Sequence, residues 1–150
     1  MLFENYAAKG NEWVNKIAKL GEIPEDQAGR ILKSTLRALR NRLSVDESFH
    51  LLSQLPMALK GVYVDGWKIS QRFARIHHLH EFLNEIRSME PDTAAYDLGN
   101  DEKAKERVGF VFQILHEYIS EGEMENILGQ LSEEIRHFIQ IQKREQPTIW

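Results

Sequence analysis

Apolar side chains recur along this chain at spacings of three, four and seven residues, the repeat of a helix that buries one face. Phe3, Tyr6, Trp13, Val14, Ile17 and Leu20 form a first stripe, and Ala28, Ile31, Leu32, Thr35, Leu36, Leu39 and Leu43 a second. Gly21 closes the first helix, and Pro24 suits the opening turn of the next. Ser44-Val45-Asp46-Glu47 has the form of a capping box, in which the Ser44 hydroxyl accepts from the amide three residues on and Glu47 reaches back to the cap. Phe49, Leu51, Leu52 and Leu55 predict a short third helix, and Pro56 starts a fourth through Leu59 and Val62. Gly61 to Ile76 reads as an ordered loop pinned by Tyr63 and Trp67, because Val62-Tyr63-Val64 has no second strand to pair with. Helical spacing resumes over Leu79, Phe82, Leu83, Ile86 and Met89, and Pro91 to Asn100 reads as a second loop. From Asp101 to Ile119 the chain is apolar on most sides, which predicts a central helix.

The pattern occurs twice. Glu12-Trp13-Val14-Asn15-Lys16-Ile17 matches Glu81-Phe82-Leu83-Asn84-Glu85-Ile86. Leu43-Ser44 with Glu47, Leu52 and Gln54-Leu55 matches Ile119-Ser120 with Glu123, Leu128 and Gln130-Leu131, and Leu39 corresponds to Leu115. A second capping box, Ser120 to Glu123, falls where the first predicts it. The blocks are differently spaced, which places an insertion in the Pro91–Asn100 loop. The expected fold is therefore all-α: one domain over 1–150, a pseudo-symmetric bundle of two duplicated multi-helix units with six to eight helices in all. Unit one covers about 1–76 and unit two about 77–145. A short tail, 146–150, leaves the last helix at Pro147 and ends on Trp150.

Composition narrows the function classes. The chain has no cysteine, so disulfides, thiolate nucleophiles and thiolate metal sites are excluded. No stretch reaches the ~20 apolar residues of a membrane span, and the start lacks the basic and apolar regions of a signal peptide, so no membrane contact and a cytoplasmic location are expected. There is no P-loop, no Gly-x-Gly-x-x-Gly and no Gly-x-Ser-x-Gly. The net charge of −4 is uneven. Residues 1–75 carry 12 Lys+Arg against 8 Asp+Glu, whereas 76–150 carry 7 against 15. Such a split fits an acidic partner, head-to-tail association of two copies, or ordinary solvated surface.

A set of motifs carries a family resemblance. It comprises Phe3-Glu4-Asn5-Tyr6-Ala7-Ala8-Lys9-Gly10-Asn11-Glu12, Ala28-Gly29-Arg30-Ile31-Leu32, Leu36 to Leu43, Gln54-Leu55-Pro56-Met57, Lys60-Gly61-Val62-Tyr63-Val64-Asp65-Gly66-Trp67 and Glu81-Phe82-Leu83. Together these resemble the bacterial family called domain of unknown function 2267, over nearly the whole chain and most strongly over 3–86. The resemblance implies an all-helical fold and a bacterial cytoplasmic origin. It implies no activity, cofactor or catalytic residue.

Three groups of side chains are candidates for function. Arg30, Lys33, Arg37 and Arg40 recur at three and four residues on the face opposite the leucines, Arg42 adds to them, and no acid interrupts Gly29 to Leu43. That face suits an acidic partner, supplied by the Glu-rich helices around Glu121, Glu123, Glu125, Glu133 and Glu134, by a second copy, or by another protein. A phosphate-contacting helix is the other reading, but the acidic total and the lack of base-reading Asn or Gln weigh against nucleic acid. Tyr63 and Trp67 flank Asp65 and Gly66, with Lys60, Lys68, Arg72 and Arg75 nearby. Such a pair binds a ligand or peptide, or anchors its own loop. His77, His78 and His80 are the candidate metal ligands, with Glu81 or Asp65 as a carboxylate. However, His78 points about 100° away from His77 on a helix, and no His-Glu-x-x-His motif is present. Glu134-Ile135-Arg136-His137 has the spacing of bundle metal sites, but Ala58 to Gly61, its counterpart, lacks both ligands. The leading expectation is a non-enzymatic interaction or regulatory module without cofactor, using the basic face and the aromatic loop. Metal chemistry at the histidines is the alternative from another class.

Overall fold

A computed structural model describes residues 1–144. Among them are nine α-helices: α1 (Glu4–Gly21), α2 (Glu25–Arg42), α3 (Val45–Gln54), α4 (Met57–Val64), α5 (Leu79–Met89), α6 (Ala94–Asp97), α7 (Asp101–Tyr118), α8 (Glu121–Gly129) and α9 (Glu133–Gln140). The order of two longer helices and two short ones recurs in the second half, interrupted by the one-turn α6. That turn lies in the segment read as a plain loop and takes the count one beyond the expected range. The last helix ends at Gln140 and not at Pro147; Pro147 and Trp150 lie outside the described residues. No described helix is long and apolar enough to cross a membrane.

The helix boundaries follow local chemistry. Pro24 and Pro56 both stand at the N-cap, one residue ahead of the first helical turn, with extended ψ near 150°. Asn100 caps α7 by accepting from the Lys103 amide at 3.0 Å. α4 runs two residues beyond Val62, so Tyr63 is helical and the non-helical connection starts at Asp65. α1 can approach α4 closely because Gly10 has no side chain: a Cβ there would stand 3.0 Å from that of Ala58.

α2 packs against α1, α4, α5, α6 and α7, and α7 against α1, α2, α5 and α9. Both are central, as the apolar sides of α7 predict. The halves interlock, since α1 lies on α7 and α2 on α5. One apolar cluster runs through both, with Trp13, Ile17, Leu36, Leu39, Phe82, Phe112 and Leu115 essentially without exposure. Trp13 stacks on Tyr118 at 5.0 Å between ring centres, and Phe112 makes an edge contact with Phe138 at 6.3 Å. Burial of such side chains contributes roughly 1.5–3 kcal/mol each and is the main term holding the bundle.

Candidate functional site: an arginine-lined cleft and a buried carboxylate pair

Every cation of the α2 stripe has a partner within the chain. Arg30 grips Asp97 with two bonds, Nε to Oδ2 and Nη2 to Oδ1, both 2.9 Å, and Asp97 is almost fully buried. Asp97 raises the Arg30 pKa, by hydrogen bonding first and then by charge. Lys33 pairs with Glu90. Arg42 donates to Glu85 at 3.1 Å and to the Ala74 carbonyl at 2.8 Å. Burial raises the Glu85 pKa, against the opposing pull of Arg42 and Asn41. The acids that neutralise the stripe are thus Asp26, Asp97, Glu90, Asp65 and Glu85, not those of the Glu-rich helices.

Arg37 and Arg40 serve a further purpose. The last carbonyls of a helix have no intrahelical donor. Arg37 Nε donates to the Val62 carbonyl at 3.1 Å, and Arg40 Nη1 to that of Tyr63 at 2.7 Å and that of Asp65 at 3.1 Å. This tertiary capping carries α4 past Val62. Arg37 also reaches the Asp65 carboxylate at 3.1 Å, whereas among the described residues the hydrogen-bond partners of Arg40 are all carbonyl dipoles. Burial, and then the neighbouring Arg37, lowers the Arg40 pKa.

Beyond Arg40 the 65–78 connection folds over the α2–α3 corner and leaves a cleft of about 420 Å³. Arg40 and Arg42 line one side, and Trp67, Ile69, Arg72 and Phe73 the other. Arg42 stands 5.7 Å from the centre of the Phe73 ring. Ile69 and Phe73 are 48% and 41% exposed. Trp67 is half-buried between Phe49, at 5.8 Å, and Tyr63, at 6.0 Å. Tyr63 is wholly buried and exchanges a 2.7 Å hydrogen bond with Ser48; burial pushes its phenol up to about 12. Tyr63 therefore anchors the connection from below. The cleft brings Arg40, Arg42 and Trp67 together, while Arg30 and Lys33 lie nearer the other end of α2.

The three histidines ahead of and within α5 do not converge. His78 Nδ1 lies 3.2 Å from Glu134, and His80 Nδ1 2.6 Å from Asp101. Glu81 accepts from the His77 and His78 amides at 3.4 and 3.1 Å, which lowers its pKa. Asp65 is engaged by Arg37.

A different set of side chains does converge, between α3 and α8. Both expected caps form by half: Ser44 Oγ accepts from Glu47 N at 3.1 Å, and Ser120 Oγ from Glu123 N at 3.2 Å. The glutamates do not reach back. Each serine amide is taken by a glutamine of the other half: Ser44 N donates to Gln130 Oε1, and Ser120 N to Gln54 Oε1, both at 2.7 Å. Each glutamine returns a bond from Nε2 to the serine hydroxyl, both at 3.1 Å. Glu47 and Glu123, released from capping, turn inward, and a carboxylate oxygen of each lies within 4.8 Å of the other. They are only 6% and 7% exposed, and Oε1 of each has no hydrogen-bond partner among the described residues. Burial first, and then Glu47, pushes the Glu123 carboxyl up to about 7. His50, exposed at the rim, puts Nδ1 3.5 Å from Glu47 Oε2.

From sequence alone both glutamates read as capping residues, and His50, like His116 and His137, reads as a scattered histidine that no spacing among the histidines supports. Two signals were present: the Glu47-x-x-His50 spacing and the recurrence of Gln54 at Gln130. The fold and these contacts define an all-helical bundle whose halves interlock through packed helices and exchanged caps. Residues 10–138 match the model of a family described as uncharacterized conserved protein, DUF2267, and the chain belongs to this family. A comparison with curated proteins returned no match.

Proposed function

We propose that this chain is a non-enzymatic protein-interaction module of the bacterial cytoplasm, and that its docking surface is the cleft between α2 and the 65–78 connection. The partner is an acidic segment carrying at least one aliphatic or aromatic side chain. The observation that carries this reading is the exposure of Ile69 and Phe73 beside Arg40 and Arg72, guanidinium groups that, among the described residues, bond to carbonyl oxygens and not to carboxylates. Exposed apolar area rimmed by cations favours a partner supplying both apolar contact and negative charge. The internal pairing of Arg30, Lys33 and Arg42 supports a narrower surface than the whole basic face. It also speaks against a phosphate-tracking helix, which needs unpaired cations along its length.

The same reading takes the two halves as products of an internal duplication. The reciprocal Ser44–Gln130 and Ser120–Gln54 bonds support this, since each serine and glutamine stands at its counterpart's position.

Photo-crosslinking in cells tests the docking surface, with a photoreactive residue at Ile69, at Phe73 and, as a control on another face, at Glu102. The expected result is a discrete adduct at 69 and 73, absent at 102, which disappears when Arg72→Glu is added. Equal labelling at the three positions would refute the proposal.

A further inference from the structure

We infer that Glu47, His50 and Glu123 form a binding site for one divalent transition-metal ion, set on the seam between α3 and α8. One ligand atom from each of the three residues lies within 4.8 Å of both others. Ligands about 2.0–2.4 Å from a common ion span such distances. Among the described residues this is the one group of three or more His, Asp or Glu side chains that meets that condition.

The two carboxylates are more than an acidic cluster. An isolated surface glutamate has water on its oxygens, but these are more than nine-tenths buried, and Oε1 of each lacks a donor among the described residues. Two buried carboxylates, with an oxygen of each within 4.8 Å of the other, need a positive charge or a proton between them. Among the described residues no Lys or Arg is paired with either carboxylate; the cation within reach is the His50 imidazolium, when protonated. An ion of charge +2 balances both carboxylates and satisfies both oxygens.

The donor set indicates which ion. Two carboxylate oxygens and one imidazole nitrogen suit zinc, manganese or ferrous iron better than calcium or magnesium, which favour all-oxygen surroundings. Three protein ligands leave at least one coordination position, and His50 stands on the solvent side. The glutamine-for-glutamate exchange at the caps keeps this donor set assembled. Gln130 and Gln54 satisfy the helix N-termini, so neither Glu47 nor Glu123 is drawn back to its own cap. The ligands come from both halves, so the ion also ties α3 to α8. The inference is independent of the docking cleft, and neither test bears on the other.

The test uses the full chain made without a metal-affinity tag and stripped with a chelator. Zinc, manganese, calcium and magnesium are titrated by calorimetry, and melting is followed at each. One equivalent of zinc or manganese is expected to bind, with calcium and magnesium far weaker. Melting should rise by about 5–10 °C at a metal concentration a hundredfold above Kd. His50→Ala and Glu123→Gln should each weaken binding by about tenfold or more. Glu123→Gln is expected to fold, because it removes a buried like-charge contact, and circular dichroism checks this. A variant carrying His77→Ala, His78→Ala and His80→Ala should bind as the parent does. Absence of zinc and manganese binding in the parent would overturn the inference. So would binding retained in Glu123→Gln, or binding lost from the triple-histidine variant.

Discussion

The Ser–Gln exchange at the seam makes a quantitative prediction for Gln130→Ala. The substitution removes two hydrogen bonds, from Ser44 N at 2.7 Å and to Ser44 Oγ at 3.1 Å. Each intramolecular bond contributes roughly 0.5–1.5 kcal/mol net. Both are solvent-exposed, so water replaces part of what is lost and the lower end applies: about 1 kcal/mol for the pair. In a chain of this size that corresponds to a fall in Tm of about 2–4 °C. Gln54→Ala removes bonds of the same lengths at Ser120 and should cost the same amount. The assay is thermal and urea unfolding of both single variants and the double variant, read by circular dichroism. A second consequence separates this from generic destabilisation. Without Gln130, the Glu47 side chain can close its own capping box on Ser44 N, the ordinary arrangement for Ser-x-x-Glu. That rotation withdraws it from Glu123. Gln130→Ala should therefore weaken metal binding at the seam although Gln130 is no ligand. A variant that melts with the parent and also binds metal as the parent does would refute the energetic assignment, because closure of the box by Glu47 offsets the loss only by leaving the site. Unequal losses in the two single variants would refute the equivalence of the two exchanges.

Two further outcomes follow from the contacts of α2 and α4. Arg30→Ala leaves Asp97 buried and unpaired, at a cost of about 3 kcal/mol. Lys33→Ala breaks a half-exposed pair and should cost less than about 1 kcal/mol; similar losses measured by denaturant unfolding would contradict this ranking. Tyr63→Phe should cost about 1–2 kcal/mol at neutral pH, because Ser48 Oγ stays buried without its partner. The variant should also change the alkaline limb of stability. An unfolded tyrosine loses its proton near 10, whereas buried Tyr63 holds its proton up to about 12. In that window the folded state binds the extra proton, so stability falls as pH rises. Urea midpoints measured between pH 10 and 12 should fall less steeply in Tyr63→Phe than in the parent, and parallel slopes would refute the burial argument.

What the sequence made legible depends on the distance over which each feature is decided. The stripes of α1, α2 and α7 are local: three- and four-residue spacing determines which face is apolar, and Trp13, Ile17, Leu36 and Leu115 are buried accordingly. The end of α4 is not local. Val62-Tyr63-Val64 alone suggests a break, but donors from Arg37 and Arg40, more than twenty residues earlier, hold its last carbonyls in a helix. The basic stripe shows the same limit. Its spacing sets the cationic face, while apart from Asp26 the carboxylates that neutralise it lie on α5, on α6 and in connections remote in sequence.

The seam carries this furthest. The local rule for Ser-x-x-Glu holds at both caps as far as the serine hydroxyl, and then a glutamine remote in sequence takes the amide that the glutamate would have taken. A capping glutamate is exposed and contributes a fraction of a kcal/mol at its helix end. The same glutamate displaced from its cap becomes one of a buried, mutually repelling pair, which costs stability unless a cation or proton stands between the two. Each exchange at the caps therefore has an effect beyond its own hydrogen bonds. It converts two ordinary helix signals into a charged site shared by both halves, and places that site where an ion would control how tightly the halves are held together.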